Sequence, residues 1–224
     1  MKKLVIAIDG PAGAGKSSVA KVLAKRLSYT YLDTGAMYRA ITYEALRRGV
    51  SDEAAVTAMA ETLTMDIFPK TDTMHVTVDG EDITDKLRGT DVSQHVSKIA
   101  SMAGVRAVMV KLQREKALKG GIVLDGRDIG TVVLPQADVK IFLTASVKNR
   151  ALRRFHEMKD NSESISLEDI EKNIQERDWQ DSHRSVSPLK QAKDAILIDN
   201  SDMTLEGTAD AIIEICKLTC DESN

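Results

Sequence analysis

Short apolar runs alternate with longer segments of helical spacing along most of the chain. Residues 4–8 form the kind of apolar run that fills a buried strand, and the next segment has one apolar helix face made of Val19, Val22, Leu23 and Leu27. Further strands are predicted at residues 29–32, 122–124, 139–143 and 195–199. This alternation predicts a three-layer α/β fold in which helices flank a parallel sheet of about five strands. The helix after the second strand is expected to turn Met37, Ile41 and Leu46 toward the core.

A different periodicity interrupts this alternation between residues 65 and 88. Every second residue from 74 to 78 is apolar, and Asp79-Gly80 is a two-residue hairpin signal. Helical spacing then resumes as far as Gly120. We therefore expect residues 65–119 to form an insert in a single domain, whose core consists of residues 1–64, 120–150 and 188–224.

Composition and charge narrow the functional class. With 224 residues, 42% hydrophobic and 29% charged, the chain can build one substantial globular core. It has no apolar run of membrane-spanning length and no signal-peptide pattern, so we expect a cytoplasmic protein with no membrane partner. The net charge of −3 gives no reason to expect a nucleic acid polymer as a partner. Cys216 and Cys220 have no histidines nearby, which argues against a zinc site.

The first candidate functional motif directly follows the first apolar run, where residues 10–17 read Gly-x-x-x-x-Gly-Lys-Ser. Between a strand and a helix, this pattern is typical of a loop whose backbone amides bind the phosphates of a nucleoside triphosphate. In such a loop Lys16 reaches the outer phosphates, and the Ser17 hydroxyl binds Mg²⁺. The predicted nucleotide-binding residues are Gly10, Pro11, Ala12, Gly13, Ala14, Gly15, Lys16, Ser17 and Ser18.

Other parts of the sequence separate the classes of protein that use such a loop. A GTPase would carry an Asn-Lys-x-Asp sequence, which is absent, and a motor on DNA would be basic and richer in aromatic residues than 4%. Several arginines instead suit the binding of more than one phosphate group. No histidine or cysteine has a catalytic setting, which fits phosphoryl transfer to a phosphate acceptor because that reaction needs no strong base. The arginines are Arg39, Arg106, Arg127, Arg150, Arg153, Arg154, Arg177 and Arg184.

Polar residues follow two of the predicted strands, at 125–130 and 144–146. Ligands of parallel sheets bind at the carboxyl ends of the strands, so we expect Arg127, between Asp125 and Asp128, at the same edge as the phosphate loop. Arg150, Arg153 and Arg154 share one helix face by their spacing. A solvated helix face is the alternative interpretation of that second arginine group.

The sequence resembles the bacterial cytidylate kinases, which are P-loop nucleoside monophosphate kinases, over essentially its whole length. The segments that carry the resemblance are IAIDGPAGAGKSSVAK at residues 6–21, YLDTGAMYR at 31–39, LDGRDIGTVVLPQA at 124–137, KIFLTAS at 140–146 and RDWQDSHRSVSPL at 177–189. The resemblance implies transfer of the γ-phosphoryl group of ATP to CMP or dCMP, with ATP as co-substrate and Mg²⁺. It further implies that the insert at residues 65–119 binds the monophosphate, and that residues 151–187 form a lid and an acceptor-binding helix.

The resemblance also assigns roles to individual residues. Arg39, Arg127 and Arg184 would hold the acceptor phosphate, with Thr34 and Tyr38 lining its pocket. Arg177 and Asp181 would face the ribose and the reacting phosphates, and the cytosine contacts would be Ser97, Arg106 and Asp128. Asp128 would accept a hydrogen bond from the exocyclic amine of cytosine.

The resemblance also implies a catalytic group of positively charged side chains around the transferred phosphate. The arginines at residues 150–154 would belong to a lid that closes over ATP. The members of the catalytic group are Lys16, Arg127, Arg150, Arg153, Arg154, Arg177 and Arg184. Asp125 is expected to orient the water molecules of the metal, and the protein is expected to be a monomer. Two alternatives stay open, a kinase acting on UMP or another small anionic acceptor, and a regulatory switch that hydrolyses ATP slowly.

Overall fold

The computed structural model describes residues 3–70, 73–159 and 166–221. The chain forms two compact units, the first made of Met1–Thr30 and Gly120–Asn224 and the second of Tyr31–Lys119. Residues 160–165 of the expected lid lie outside the described residues.

The described residues form strands and helices, together with two short helical turns. The elements are β1 (Val5–Asp9), α1 (Lys16–Leu27), β2 (Thr30–Asp33), α2 (Thr34–Arg48), α3 (Glu53–Thr62), β3 (Met65–Lys70), β4 (Thr73–Val78), β5 (Glu81–Asp82), α4 (Thr90–Ser101), α5 (Ala103–Ala117), β6 (Ile122–Gly126), β7 (Val139–Thr144), α6 (Val147–Lys159), α7 (Leu167–His183), β8 (Ile196–Asp199) and α8 (Leu205–Asp221). The short turns are a 3-10 turn at Thr84–Lys86 and a π-helical turn at Ile129–Val133.

Five strands form one parallel sheet in the order β2-β6-β1-β7-β8. The central strand β1 pairs with β6 from Val5 opposite Ile122 to Asp9 opposite Gly126. It is apolar from Val5 to Ile8 because a central parallel strand is covered on both faces. The predicted α/β fold is confirmed, and the carboxyl end of β1 lies at the edge where ligands of such sheets bind.

Side-chain caps explain where several helices begin. The Asp33 carboxylate accepts a hydrogen bond from the Ala36 amide at 2.7 Å and starts α2. Ser166 starts α7 in the same way, its hydroxyl accepting from the Asp169 amide at 3.1 Å. Each cap satisfies an amide that the first helical turn leaves without a partner in the helix.

The second unit contains the predicted hairpin. Strand β4 pairs antiparallel with β3 and with β5, and the turn between β4 and β5 is Asp79-Gly80. Both turn residues have positive φ, 50° and 83°, as a type I′ turn requires. The hairpin prediction is therefore confirmed, and the helices α2, α3, α4 and α5 belong to the same unit.

The expectation that Leu46 points inward is wrong. Leu46 is 39% exposed, whereas Met37 and Ile41 are almost fully buried. Leu46 follows Met37 by about two and a half helical turns, which places it on the opposite side of α2. Among the described residues, none of the helices has the length and apolar character needed to span a membrane.

Candidate active site

The phosphate loop connects β1 to α1 and requires glycine at both of its ends. Gly10 has φ of 151°, and a Cβ atom there would lie 1.9 Å from the carbonyl oxygen of Leu143 on β7. Gly15 adopts the left-handed conformation, with φ of 82°, directly before α1. The backbone therefore reaches the start of α1 in a tight curve, where the amides of the first helical turn suit an anion.

Lys16 is buried at the start of α1, and its Nζ donates to the carbonyl oxygen of Pro11 at 2.7 Å. Burial, together with the positive charge of Arg127, lowers the pKa of Lys16 to about 7, although Asp125, Asp181 and Asp9 act in the opposite direction. A polyphosphate in the loop would add negative charge and favour the protonated amine. Lys16 is thus placed where a bound anion would change its protonation state.

Ser17 follows Lys16 and contacts the end of β6. Its hydroxyl donates to Oδ2 of Asp125 at 2.8 Å. Hydroxyl and carboxylate oxygens are hard donors of the kind that Mg²⁺ takes, often through water. In the described ranges no group of three or more His, Cys, Asp or Glu side chains could hold a metal alone. A metal at this place would therefore depend on Ser17, water and the phosphates of a nucleotide.

Arg127 lies directly after β6 and forms an ion pair with α7. Its Nε donates to Oδ2 of Asp181 at 2.7 Å. Burial disfavours the charged guanidinium, but the carboxylate of Asp181 outweighs it and raises the pKa of Arg127. Burial likewise acts to raise the pKa of Asp181, but Arg127, Arg184 and Arg177 hold that pKa below its ordinary value. Both groups therefore stay charged at neutral pH.

A second ion pair joins the neighbouring residue of the same loop to the end of α7. Nη2 of Arg184 lies 3.5 Å from Oδ1 of Asp128, and both side chains are buried. The Nε of Arg184 also donates to the carbonyl oxygen of Ser187 at 2.6 Å. Arg127, Asp128, Asp181 and Arg184 thus form a largely buried set of two ion pairs at the carboxyl end of the sheet.

Arg150 and Asp178 bind the backbone of the phosphate loop rather than facing solvent. Nη1 of Arg150 donates to the carbonyl oxygen of Ala12 at 2.8 Å and to Oδ2 of Asp178 at 2.6 Å. The other carboxylate oxygen of Asp178 accepts from the Ala12 amide at 3.1 Å. Nε of Arg150 donates to the carbonyl oxygen of Ala145. The first residues of α6 and the last turns of α7 are therefore attached to one residue of the loop.

The other arginines of α6 and α7 that were predicted for the site differ in their surroundings. Arg153 donates to the side chain and the backbone carbonyl of Asn200, and it reaches the carbonyl oxygen of Ala14 at 3.5 Å. The Arg154 side chain is 50% exposed and pairs with Glu157 on its own helix. Arg177 is half-buried on α7 and contributes to the charge around Asp181. Of the three arginines on α6, two thus face the phosphate loop and one faces outward.

The second unit holds the other predicted acceptor residues. Arg39 chelates the carboxylate of Asp33 through Nη2, at 3.1 and 3.3 Å. The guanidinium of Arg106 lies 5.5 Å from the ring centre of Tyr38, a distance at which the cation and the ring attract each other. Thr34 is buried at the start of α2, and Ser97 is half-buried on α4. Within this unit the structure brings Tyr38 and Arg106 together.

Three residues of the first unit contribute to the site although the sequence reasoning gave them no role. They are Asp9, Asp178 and Asn200, whose side chains bond the backbone at Ile129 and Gly130, at Ala12 and at Ala14 respectively. Asp178 stands beside Arg177 in a recognisable motif, so its sequence position was a signal. Asp9 ends a buried apolar strand with a carboxylate, which was a second signal. Nothing in the sequence around Asn200 indicated its contact.

Solved structures that resemble this chain support the fold. A gluconokinase from Sinorhizobium meliloti 1021 matches with a TM-score of 0.51 and 14% sequence identity, covering 99% of this chain and 97% of that one. An uncharacterized protein from Eubacterium ventriosum matches with a TM-score of 0.52 and 14% identity, over 96% and 98% of the two chains. These likenesses show a shared fold alone.

Sequence relatives are much more similar. The Bacillus licheniformis cytidylate kinase is 51% identical over 217 residues, 96% of each chain. The cytidylate kinase of Bacillus subtilis is 47% identical, over 95% of this chain and 96% of its own length. The family model described as cytidylate kinase matches residues 6–218. With the phosphate loop and the two ion pairs above, these matches show that the chain belongs to the cytidylate kinase family.

Proposed function

We propose that the protein transfers the γ-phosphoryl group of ATP to CMP or dCMP, giving CDP or dCDP. The observation that supports this most strongly is the set of charged side chains at the end of the sheet. Arg127 is close enough to Lys16 to act to lower the pKa of its amine. Arg127 itself pairs with Asp181, and Arg184 pairs with Asp128. Such a set of charges favours two phosphate groups that must approach each other, because cations offset their repulsion.

The donor half of the proposed site is the phosphate loop. The amides of residues 13–18 and the ammonium of Lys16 would bind the phosphates of ATP, replacing the present bond from Lys16 to Pro11. Ser17 and Asp125 would hold Mg²⁺ with its water molecules, since their oxygens already contact each other. The metal would supply positive charge against the phosphates.

For the acceptor half we propose the roles that the family resemblance implies. Arg39, Arg127 and Arg184 would hold the phosphate of CMP, and Thr34 with Tyr38 would line its pocket. Arg177 and Asp181 would face the ribose and the reacting phosphates. Asp128 would accept from the exocyclic amine of cytosine, while Ser97 and Arg106 would donate to its ring nitrogen and carbonyl. UMP carries a carbonyl in place of that amine, so a carboxylate at this place disfavours UMP.

The reaction itself needs positioning and charge rather than a base. The phosphate of CMP is already an anionic nucleophile, so no side chain has to remove a proton. Lys16, Arg127, Arg177 and Arg184 would stabilise the charge on the transferred group. Arg150 and Arg153 would act mainly by shaping the loop, since their donors already bind loop carbonyls, and Arg154 would act when the lid closes. Closure would exclude water and favour transfer over hydrolysis.

An acceptor panel tests the proposal. ADP release would be followed with ATP and Mg²⁺ in the presence of CMP, dCMP, UMP, AMP, GMP or shikimate. CMP and dCMP are expected to accelerate it most. Acceleration by another acceptor alone would refute the proposal, and slow release independent of every acceptor would favour a regulatory switch.

The variant Asp128→Ala separates acceptor recognition from donor binding. It should raise KM for CMP by about tenfold or more, because one polar contact to the base is lost, and leave KM for ATP nearly unchanged. Equal effects on both constants would contradict the role of Asp128.

We also propose that the protein acts as a monomer in the cytoplasm, where these nucleotides are metabolised. Light scattering tests whether the protein is a monomer in solution.

A further inference from the structure

The π-helical turn Ile129–Val133 follows the acceptor residues Arg127 and Asp128, and a distant residue caps it. Oδ1 of Asp9 accepts from the Ile129 amide, and Oδ2 accepts from the Gly130 amide, both at 2.7 Å. These amides belong to the first two residues of the turn, so they have no hydrogen-bond acceptors within it. Asp9 ends β1, and its bonds span 120 and 121 positions of the chain.

A residue much nearer in sequence would ordinarily make this cap. Asp128 occupies the N-cap position of the turn, and aspartate is among the preferred N-cap residues. Its side chain nevertheless makes no cap bond, and its Oδ1 lies 3.5 Å from Nη2 of Arg184 instead. The backbone of Asp128 still serves the turn, because its carbonyl accepts from Val132 and Val133. Asp9 therefore takes over the cap that Asp128 could have made.

The residues packed around Asp9 leave room for its contact with the turn. A Cβ atom at Gly130 would lie 3.2 Å from Cδ of Lys140, which is tight, and 3.4 Å from Oδ2 of Asp9, which is an ordinary contact, so a side chain larger than a methyl group would meet both. Lys140 is itself anchored by the carbonyl of Pro135 and the carboxylate of Asp194. Burial raises the pKa of Asp9 to about 6, even though the two amides act to lower it. A charged carboxylate here costs stability, which is more readily explained by a functional role than by a purely structural one.

We propose that Asp9 is a positioning residue for the acceptor: by capping the turn after Asp128 it leaves the Asp128 carboxylate oriented toward Arg184 and the base of the acceptor. Asp9 also precedes Gly10 directly. It therefore connects the strand that carries the phosphate loop with the loop that reads the acceptor. The inference rests on the proposed function, since the acceptor is taken to be CMP.

The variant Asp9→Asn tests this role. An asparagine can accept from one amide, but its own NH₂ group would face the other amide, so donor meets donor. The turn should shift, and Asp128 would then become the alternative cap. We expect KM for CMP to rise by about tenfold, the effect of one lost charge-assisted hydrogen bond. The preference for CMP over UMP should fall as well, while the Kd for ATP should stay within about twofold.

Asp138→Asn is the matched control. Asp138 accepts from the Val5 amide at 2.8 Å, so it also binds a backbone amide through a carboxylate, but at the opposite end of β1. It should lower Tm without changing KM for CMP or the preference over UMP. If Asp9→Asn behaves like Asp138→Asn, the positioning role is wrong and Asp9 is only structural.

A second variant covers the case in which Asp9→Asn does not fold. Gly130→Val keeps the carboxylate but places a branched side chain against it and Lys140, because even a Cβ atom there already lies 3.4 Å from Oδ2 of Asp9 and 3.2 Å from Cδ of Lys140, so KM for CMP should rise in the same selective manner. An unchanged KM would refute the inference. If the wild-type protein binds ATP but does not use CMP, the proposed function fails instead. In that case the rate of hydrogen exchange between solvent and the Ile129 and Gly130 amides is measured instead. The inference requires faster exchange in Asp9→Asn than in the wild-type protein. Unchanged exchange would overturn the role of Asp9.

Discussion

Replacing Arg150 with methionine tests how the helical hairpin α6–α7 supports the phosphate loop. Arg150 is 5% exposed, and it bonds the carbonyls of Ala12 and Ala145 and the carboxylate of Asp178. Methionine has a similar length and keeps much of the apolar stem, so Arg150→Met removes the bonds with little loss of packing. The change therefore isolates the polar contacts.

The expected loss follows from these contacts. Breaking a buried ion pair by removing one partner typically costs about 3–5 kcal/mol, because the other charge stays buried. The Asp178 side chain is 20% exposed and keeps its bond to the Ala12 amide, so water offsets part of that cost. We expect the free energy of unfolding to fall by about 3 kcal/mol. The Kd for ATP should rise by about tenfold or more, because Ala12 loses one of its anchors.

Arg154→Met provides the control on the same helix. Arg154 is half exposed and pairs with the exposed Glu157, so its loss should cost about 0.5 kcal/mol. Urea unfolding measures stability, and titration calorimetry with a nonhydrolysable ATP analogue measures binding. Similar losses of stability in the two variants would refute the support that we assign to Arg150.

Further predictions concern the loop and the buried charges. Gly10→Ala should abolish detectable ATP binding, since its Cβ would lie 1.9 Å from the Leu143 oxygen, whereas Gly49→Ala, with nothing within 4 Å, should keep normal affinity. If both variants bind ATP equally, the close approach at Gly10 does not matter. At pH 8 ATP binding should be accompanied by uptake of close to one proton, because the pKa of Lys16 is lowered to about 7 and a bound anion favours its charged form. Calorimetry in buffers of different ionisation enthalpy measures this uptake, and a binding enthalpy that is the same in every buffer would contradict it. The pKa of Asp9 is raised to about 6 from an ordinary value of 3.8, so the folded state binds the proton of this carboxyl group more tightly than the unfolded state. The stability that this group contributes is therefore fully present below about pH 4 and is lost as the pH rises through 6. The stability of wild type relative to Asp9→Asn should therefore fall by about 3 kcal/mol over that interval, and a constant difference in urea unfolding would contradict the shift.

The phosphate loop and the sheet could be predicted because their signals are local. Buried parallel strands need continuous apolar runs, and the loop needs glycine where a side chain would collide, as at Gly10. Arg127 was predictable for a related reason, since charged residues directly after a buried strand lie at the ligand edge of the sheet. Each of these inferences depends on neighbours within a few residues.

Other features depend on which distant segments meet. Spacing places Arg150, Arg153 and Arg154 on one helix face, but it could not show that Arg150 contacts Ala12 while Arg154 lies about 6 Å further along the helix and faces solvent. The cap by Asp9 was equally hidden, because Asp128 satisfies the local rule for the same position. Such contacts follow from tertiary structure, which no short sequence window contains.

The most direct test of the account follows the transferred phosphate itself. ATP radiolabelled in its γ-phosphate would be incubated with the protein, Mg²⁺ and CMP, and the products would be separated by chromatography. We expect the label in CDP, with little inorganic phosphate. Label released as inorganic phosphate at the same rate with or without CMP would contradict a phosphotransferase and indicate slow ATP hydrolysis.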